Sequence, residues 1–189
     1  MNRDDAFKIL TTFLTNENLI RHCLAAEVAM RALYARLNPE FKKEEEDVWG
    51  ITGLLHDADY ELSKGHPELH GLLLFDRVPN QIPENIAHAI KAHNYSYTKV
   101  IPETPMDWAI TCADQLTGLI VACALIHPEK KLTPLTPEFV IKRLNQNGFA
   151  KGADRTPIKQ CEEKLGIPLE EFVTIVLTAM KSISPDLGL

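Results

Sequence analysis

The sequence predicts an all-α fold, and three observations support this prediction. Apolar residues recur with the helical period along nearly the whole chain. No segment shows the alternation of period two that a half-buried strand requires. Asn, Thr and Pro residues stand where the periodic runs begin, as they do at helix starts. We expect a single domain over residues 1–189, with a core of about five helices over residues 16–127 and a smaller C-terminal helical part over residues 134–189.

Five periodic runs make up the predicted core. The first follows the capping sequence TNEN and ends before a proline, and the second opens with acidic residues, which the helix dipole favours. The other three have a proline at or near their start, where proline is tolerated. In chain order they cover residues 19–38, 44–57, 66–78, 83–94 and 104–127. A proline-punctuated connector then leads to shorter runs over residues 138–146, 155–166 and 168–183.

Composition limits the class of protein. The formal charge of -6 argues against a nucleic-acid polymer as partner, because such partners usually require a basic face. No run approaches the roughly 18 apolar residues of a membrane span, and the N-terminus resembles no secretory signal. The four cysteines form no CxxC pair, so buried thiols are expected. We expect a cytoplasmic protein that does not bind membranes.

Histidines and carboxylates recur on the inward faces of the predicted helices. Asp114, for example, shares its helical stripe with Ile110, Gly118 and Val121, where a carboxylate needs a cation or a hydrogen-bond network. Each of the five core runs carries at least one such group. The set is His22, His56, Asp57, His70, His93 and Asp114. By the same geometry or by their place next to a proline, the remaining histidines belong on the surface: His66, His88 and His127.

The inward groups predict a metal site. A single helical histidine is more often a satisfied core residue than a ligand, but six such groups on five helices make independent accidents improbable. Histidine nitrogens and carboxylate oxygens suit one or two divalent ions of Fe, Mn, Co, Ni or Zn, and carboxylate-bearing sites also take Mg. The alternative is a helical interaction protein with buried His–Asp hydrogen bonds, which predicts no bound metal.

In this order, His22, the HD pair at 56–57 and Asp114 give the chain a resemblance to the HD-domain superfamily of metal-dependent phosphohydrolases. The segments HDADYE, HGLLL, AIKAHN and ADQLTGLIVA are similar to one branch of bacterial and archaeal HD hydrolases, and GFAKGADRTPIKQCEEKLGIPLEEF extends the resemblance over nearly the whole chain. The chain lacks the GYP motif of the branch that acts on cyclic di-GMP.

The resemblance implies particular roles for the six residues. His22, His56, Asp57 and Asp114 would hold one metal, and His70 and His93 would add a second, with Asp57 as the bridging carboxylate. HD members with two metals include hydrolases of symmetrical dinucleoside tetraphosphates and of cyclic dinucleotides. A small phosphorylated substrate, such as a nucleotide, is therefore the expected partner.

Our hypothesis for the reaction is attack of metal-bound hydroxide on a phosphate ester or anhydride. Asp57 would hold the metal, and Asp59 or Glu61 would orient the water or the groups around the metal ligands, unless those two acids form an exposed loop. Lys64 is a candidate phosphate contact or an exposed lysine. Lys151 and Arg155 are candidates for a positive flap over the site, with an ordinary helix-capping turn as the alternative.

Two other function classes remain open from the sequence. A nucleotide-binding regulatory protein would use the metal as a structural element, with little turnover. A di-iron oxygenase of the HD type would use the same histidine and aspartate ligands. The apolar run LTGLIVACALI fits either the core or the surface of a homodimer. No P-loop, Rossmann glycine motif or GxSxG nucleophile elbow is present.

Overall fold

The structure is a computed structural model that describes residues 1–189, and it contains helices and no strand, which confirms the all-α prediction. The helices of the N-terminal two thirds are α1 (Arg3–Phe13), α2 (Glu17–Leu37), α3 (Lys43–Leu55), α4 (Leu73–Arg77), α5 (Glu84–His93), α6 (Tyr95–Thr98) and α7 (Pro105–Ile126). A 3-10 turn, Pro67–Leu69, precedes α4. The C-terminal helices are α8 (Pro137–Leu144), α9 (Arg155–Lys159), α10 (Cys161–Leu165), α11 (Leu169–Ser182) and α12 (Ser184–Leu187).

Helix α2 lies at the centre and packs against α3, α7 and α11. Its approach to α3 depends on Gly53, because a Cβ added there would lie 2.5 Å from the carbonyl oxygen of Ala26. This close packing brings the start of α2 beside the end of α3. The imidazole rings of His22 and His56 are consequently 5.1 Å apart, measured between their centroids.

The C-terminal helices share a hydrophobic core with α2 and α7. Phe172 and Val176 of α11 are fully buried in the same cluster as Met30 of α2 and Leu116 of α7. A second, smaller cluster joins α1, α3 and α5. Helices α2 and α3 contribute to both clusters, with Met30 and Trp49 in the larger one and Cys23 and Ile51 in the smaller one.

Helix α1 was not predicted. Asn2 caps it by accepting a hydrogen bond from the backbone N–H of Asp5 at 2.9 Å. Only Ala6 and Leu10 are buried along its length, so its apolar stripe is too narrow to stand out in the sequence. These two residues anchor the helix in the smaller hydrophobic cluster.

The sequence predicted one helix over residues 66–78, and this prediction is wrong. Gly71 has a φ of 84°, a conformation that residues with a Cβ rarely adopt, and the helical path breaks there. The 3-10 turn before the break and α4 after it replace the predicted helix. His70 therefore stands in a sharp turn.

Helix α7 corrects the expectation about membrane-spanning length. By length and composition it is the one helix that is able to cross a membrane, with a mean hydropathy of 1.8 over its most apolar window. However, 61% of that window is buried inside the protein, as in the core helix of a soluble protein. Cys23 and Cys112 are buried and free, as predicted for core thiols.

Candidate metal centre

Four imidazoles and two carboxylates converge at the junction of α2, α3, α5 and α7. The structure brings all six predicted residues together in two groups whose candidate ligand atoms lie within 4.8 Å of one another. The first group is His22, His56, Asp57 and Asp114, and the second is Asp57, His70 and His93. Asp57 belongs to both groups, which is the arrangement expected of a bridging carboxylate.

The first group surrounds the Nε2 atoms of two histidines. His22 Nε2 lies 2.9 Å from Oδ1 of Asp114 and 3.5 Å from Oδ2 of Asp57. His56 Nε2 lies 3.5 Å from an Oδ1 atom of each of the same two aspartates. The two carboxylates thus face the two imidazole nitrogens across a small gap.

The second group is equally compact. His70 Nε2 lies 3.0 Å and His93 Nε2 3.6 Å from Oδ1 of Asp57. The two Nε2 atoms are 3.1 Å from each other. His93 is the last residue of α5, and His70 reaches the same point from the turn at Gly71.

Every histidine of the centre has its Nδ1 atom beside an oxygen that can accept its proton. His56 Nδ1 lies 2.8 Å from the carbonyl oxygen of Gly53, and His70 Nδ1 lies 2.9 Å from Oδ1 of Asp59. His93 Nδ1 faces the carbonyl oxygen of Ile90, and His22 Nδ1 faces the Thr117 hydroxyl, which itself donates to the carbonyl of Asp114. Donation from Nδ1 leaves the Nε2 lone pair directed into the centre, as in metal-binding histidines.

Burial and charge also fit a cation. His56 Nε2 is fully buried and has no hydrogen-bond partner. Burial lowers the pKa of His56, but the charges of Asp57 and Asp114 outweigh it and raise that pKa to about 9. Burial also lowers the pKa of His70, but its hydrogen bonds to Asp57 and Asp59 outweigh that effect and raise the pKa to about 10. Ionised carboxylates therefore attract positive charge to the centre, which protons or a metal ion can supply.

Asp57 and Asp114 are the anions of this arrangement. Burial acts to raise the pKa of each carboxyl group. The facing imidazoles, His56 for Asp57 and His22 for Asp114, reverse that effect and hold both pKa values well below the usual range. Both aspartates are consequently ionised at neutral pH and available as ligands.

Asp59 lies behind the His70 ring and does not face the centre. Its side chain is buried and points away from the centre, where it accepts hydrogen bonds from His70 Nδ1 and from the backbone N–H groups of Gly71 and Leu74. The alternative of an exposed loop is wrong for Asp59, which is 1% exposed, and its contact with His70 is of the kind expected of an acid that orients the groups around the centre. Asp59 fixes the orientation of the His70 ring and the turn that carries it.

Glu61 is also occupied elsewhere. Its carboxylate accepts hydrogen bonds from the backbone N–H groups of Thr15, at 2.7 Å, and Asn16, at 3.2 Å. It therefore fixes the turn before α2. Since it does not line the central cavity, the structure gives no support to a water-orienting role.

The predicted phosphate contacts lie outside the cavity lining. The Arg155 guanidinium donates to the carbonyl oxygens of Ala153, at 2.6 Å, and Ala150, at 3.1 Å, so it folds its own loop. This agrees with the alternative of an ordinary capping turn. Lys151 is exposed on that loop, and Lys64 is exposed beside a smaller pocket that adjoins the centre.

The centre opens into a cavity of about 440 Å³. Tyr60, Asn94 and Gln115 give it polar walls, and no Lys or Arg side chain lines it. Residues of the loop 149–155 form part of the lining, as the flap hypothesis expected, although without the positive charge. Gln115 ties this loop to the centre, because its Nε2 donates to Oδ2 of Asp114 at 2.7 Å and its Oε1 accepts from the Asp154 N–H at 2.8 Å.

Comparison with known proteins gives no match to any family model, any curated protein or any solved structure. The residues of the centre are therefore the basis for inferring a function. His88 lies apart from them, with its Nδ1 3.1 Å from Oδ2 of Asp107, and His66 is exposed. His127 is partly exposed and also lies outside the two ligand groups.

Sequence reasoning missed two residues of this environment. Thr117 contacts the His22 ring, and Gln115 joins Asp114 to the covering loop. Gln115 and Thr117 lie one and three residues after Asp114 on α7. This closeness in sequence to a candidate ligand was the signal that could have identified them. Nothing in the sequence indicated the orientation of Asp59.

Proposed function

We propose that this protein is a metal-dependent hydrolase of a small phosphate ester or anhydride, such as a nucleotide, of the HD type. The observation that supports it most is the pair of ligand groups that share Asp57. Four histidines with their Nδ1 atoms held and their Nε2 atoms turned inward are more than a structural hydrogen-bond network requires.

The proposed ligands divide between two sites. His22, His56, Asp57 and Asp114 would hold one ion, and Asp57, His70 and His93 would hold the second, with donors suited to Fe, Mn, Co, Ni, Zn or Mg. Divalent ions at such a centre supply an acidified water and neutralise charge on phosphoryl oxygens.

The surrounding residues have supporting tasks in this proposal. Asp59 keeps His70 in the tautomer that presents Nε2 to the centre. Tyr60, Asn94 and Gln115 offer polar groups to the part of the substrate that does not react. Because no cationic side chain lines the cavity, the negative charge of a phosphate would be balanced at the ligand centre itself.

The test is phosphate release from a panel of nucleotides and other phosphate esters, with protein reconstituted separately with Mn, Fe, Co, Ni, Zn and Mg. We expect turnover that Asp57→Asn abolishes and His88→Ala retains, since His88 lies outside the two ligand groups. Oxygen uptake is measured on the iron-loaded protein in parallel.

Three results would overturn the proposal. Oxygen consumption coupled to substrate, without phosphate release, would indicate the oxygenase. Tight nucleotide binding with no turnover under any metal would indicate the regulatory protein. Failure to bind any metal after anaerobic reconstitution would leave the six residues as a buried hydrogen-bond network.

A further inference from the structure

Gly118 stands where a second groove meets the central cavity. It lies on α7 one turn after Asp114, and it lines both the 440 Å³ cavity and a groove of about 460 Å³. His22 is the other residue common to the two spaces. The groove and the central cavity therefore adjoin each other at these two residues.

The groove has mainly apolar walls. Val121 and Leu125 continue the Gly118 face of α7, and Leu187 of α12 adds to the lining. Leu125 is 55% exposed, so this face of α7 is not buried against the hydrophobic core. Asn18 and Arg21 add polar groups, and the Arg21 guanidinium is partly neutralised by Glu17 at 3.4 Å.

The glycine itself has no packing explanation. A glycine in the middle of a helix weakens the helix relative to alanine, so its presence calls for a reason such as close packing. Gly50 and Gly53 of α3 have that reason, because an added Cβ would lie 2.5 Å from an atom of α2. At Gly118 an added Cβ meets nothing within 4 Å. The free space belongs to the cavity wall, one turn from a proposed metal ligand.

We infer that Gly118 is a specificity-determining residue that opens a subsite for an apolar arm of the substrate, with Val121 and Leu125 as its walls. This rests on the proposed function, since the phosphoryl group would occupy the ligand centre while the apolar arm extends past Gly118. A bulky side chain at position 118, such as leucine, would close the way between the two spaces.

Binding of alkylphosphonates, which are not hydrolysed, tests the subsite. Calorimetry on Mn-loaded protein compares methylphosphonate with hexylphosphonate. Each buried methylene strengthens binding about fourfold, so even partial burial in an open groove gives hexylphosphonate an advantage of at least about 30-fold. Gly118→Leu should reduce that advantage to less than about threefold while methylphosphonate binding is retained.

A second variant avoids any effect on the fold. Leu125→Ser removes an exposed groove wall and should lower hexylphosphonate affinity several-fold. Its matched control is Ile101→Ser, which removes a similarly exposed apolar side chain, 59% against 55%, that lines neither space. Ile101→Ser should leave both affinities unchanged.

The outcomes separate the two proposals. Equal affinity of the wild-type protein for both phosphonates overturns the apolar subsite and leaves the hydrolase intact. An unchanged preference in both Gly118→Leu and Leu125→Ser also overturns it. Binding of neither phosphonate by metal-loaded protein overturns the hydrolase and, with it, the subsite.

Discussion

The Nε2 atoms of His70 and His93 face each other at 3.1 Å. Both rings have an acceptor beside Nδ1, Asp59 Oδ1 for His70 and the Ile90 carbonyl for His93. If both Nδ1 atoms keep their protons, the two Nε2 atoms present lone pairs to each other, which is repulsive without a positive charge between or beside them. The pair thus requires a cation, either a proton or a metal ion.

Removing one of these histidines should empty one site only. We expect His93→Ala to reduce the metal content, measured by elemental analysis, from about two equivalents to about one, because the group of His22, His56, Asp57 and Asp114 stays complete. His88→Ala is the control on the same helix, and it should keep both equivalents. Loss of both ions, or of neither, from His93→Ala would contradict two sites that share Asp57.

Asp59 should act on metal affinity through His70. Asp59→Asn replaces an acceptor of three hydrogen-bond donors with a group that carries an N–H₂, so the His70 ring loses its fixed orientation. Second-ligand-sphere changes of this kind weaken metal binding about 10- to 100-fold, and we expect that loss at one site of the two. Metal titration followed by calorimetry measures it.

Glu61→Gln is the matched control for Asp59→Asn. Both acids follow the HD pair, but Glu61 contacts only the turn before α2. Its substitution should leave both metal affinities unchanged. A weakening equal to that of Asp59→Asn would mean that the turn at residue 15, and not the His70 ring, determines the affinity.

The α2–α3 contact should be sensitive to a single methyl group. Gly53→Ala would place a Cβ 2.5 Å from the Ala26 carbonyl oxygen, and backbone atoms cannot move aside easily. We expect a loss of about 1–3 kcal/mol in the free energy of unfolding, measured by urea denaturation. Gly50→Ala should cost less, because its added Cβ meets the end of the Arg31 side chain, which can shift. A larger loss at Gly50 than at Gly53 would contradict this packing.

Gln115 should control the mobility of the covering loop. Gln115→Ala removes the acceptor of the Asp154 N–H and the link to Asp114, so amide hydrogen exchange over residues 149–155 should become faster. Gln146→Ala changes an exposed glutamine that accepts from Arg143 and should leave the exchange of Asp154 unchanged. Unchanged exchange in Gln115→Ala would show that Arg155 alone holds the loop.

Metal binding should release protons. In the metal-free protein the pKa of His56 is about 9 and that of His70 about 10, so both are charged at pH 7 and must lose a proton to become ligands. Raised pKa values in the folded state stabilise the metal-free fold below pH 6.5, and this contribution is lost as the pH rises through 9 to 10. We therefore expect about two protons released when both sites fill at pH 7, and tighter metal binding as the pH rises. Calorimetry in two buffers of different ionisation enthalpy counts the protons, and a count of zero would mean that neutral histidines are already present.

Helical period predicted the inward placement of three residues of the centre, but not the groups that hold the histidine rings. His22, His93 and Asp114 lie on regular helices, where the neighbours three and four residues away define the inward face. Asp59 lies among turns, where no period indicates which way a side chain points. The sequence did not predict the helix break at Gly71, because the positive φ there depends on the contacts of the surrounding fold.

Long-range partners were equally beyond the sequence. Arg155 was a candidate phosphate ligand because of its charge. In the folded loop its guanidinium instead donates hydrogen bonds to backbone carbonyls. Likewise, Glu61 is 46 residues from Thr15 in the sequence, yet its carboxylate accepts a hydrogen bond from the Thr15 backbone N–H. Pairings of this kind are decided by tertiary packing, which local patterns do not contain.

The ligand groups join parts of the chain that are far apart in sequence. His22 and Asp114, for instance, are separated by 92 residues. A bound ion would therefore act as a cross-link that closes long loops and disfavours the unfolded chain. Its stabilising effect grows with the logarithm of free metal concentration, so a chelator should lower the thermal midpoint of the whole protein. In a cell, the amount of folded protein would then follow the supply of metal.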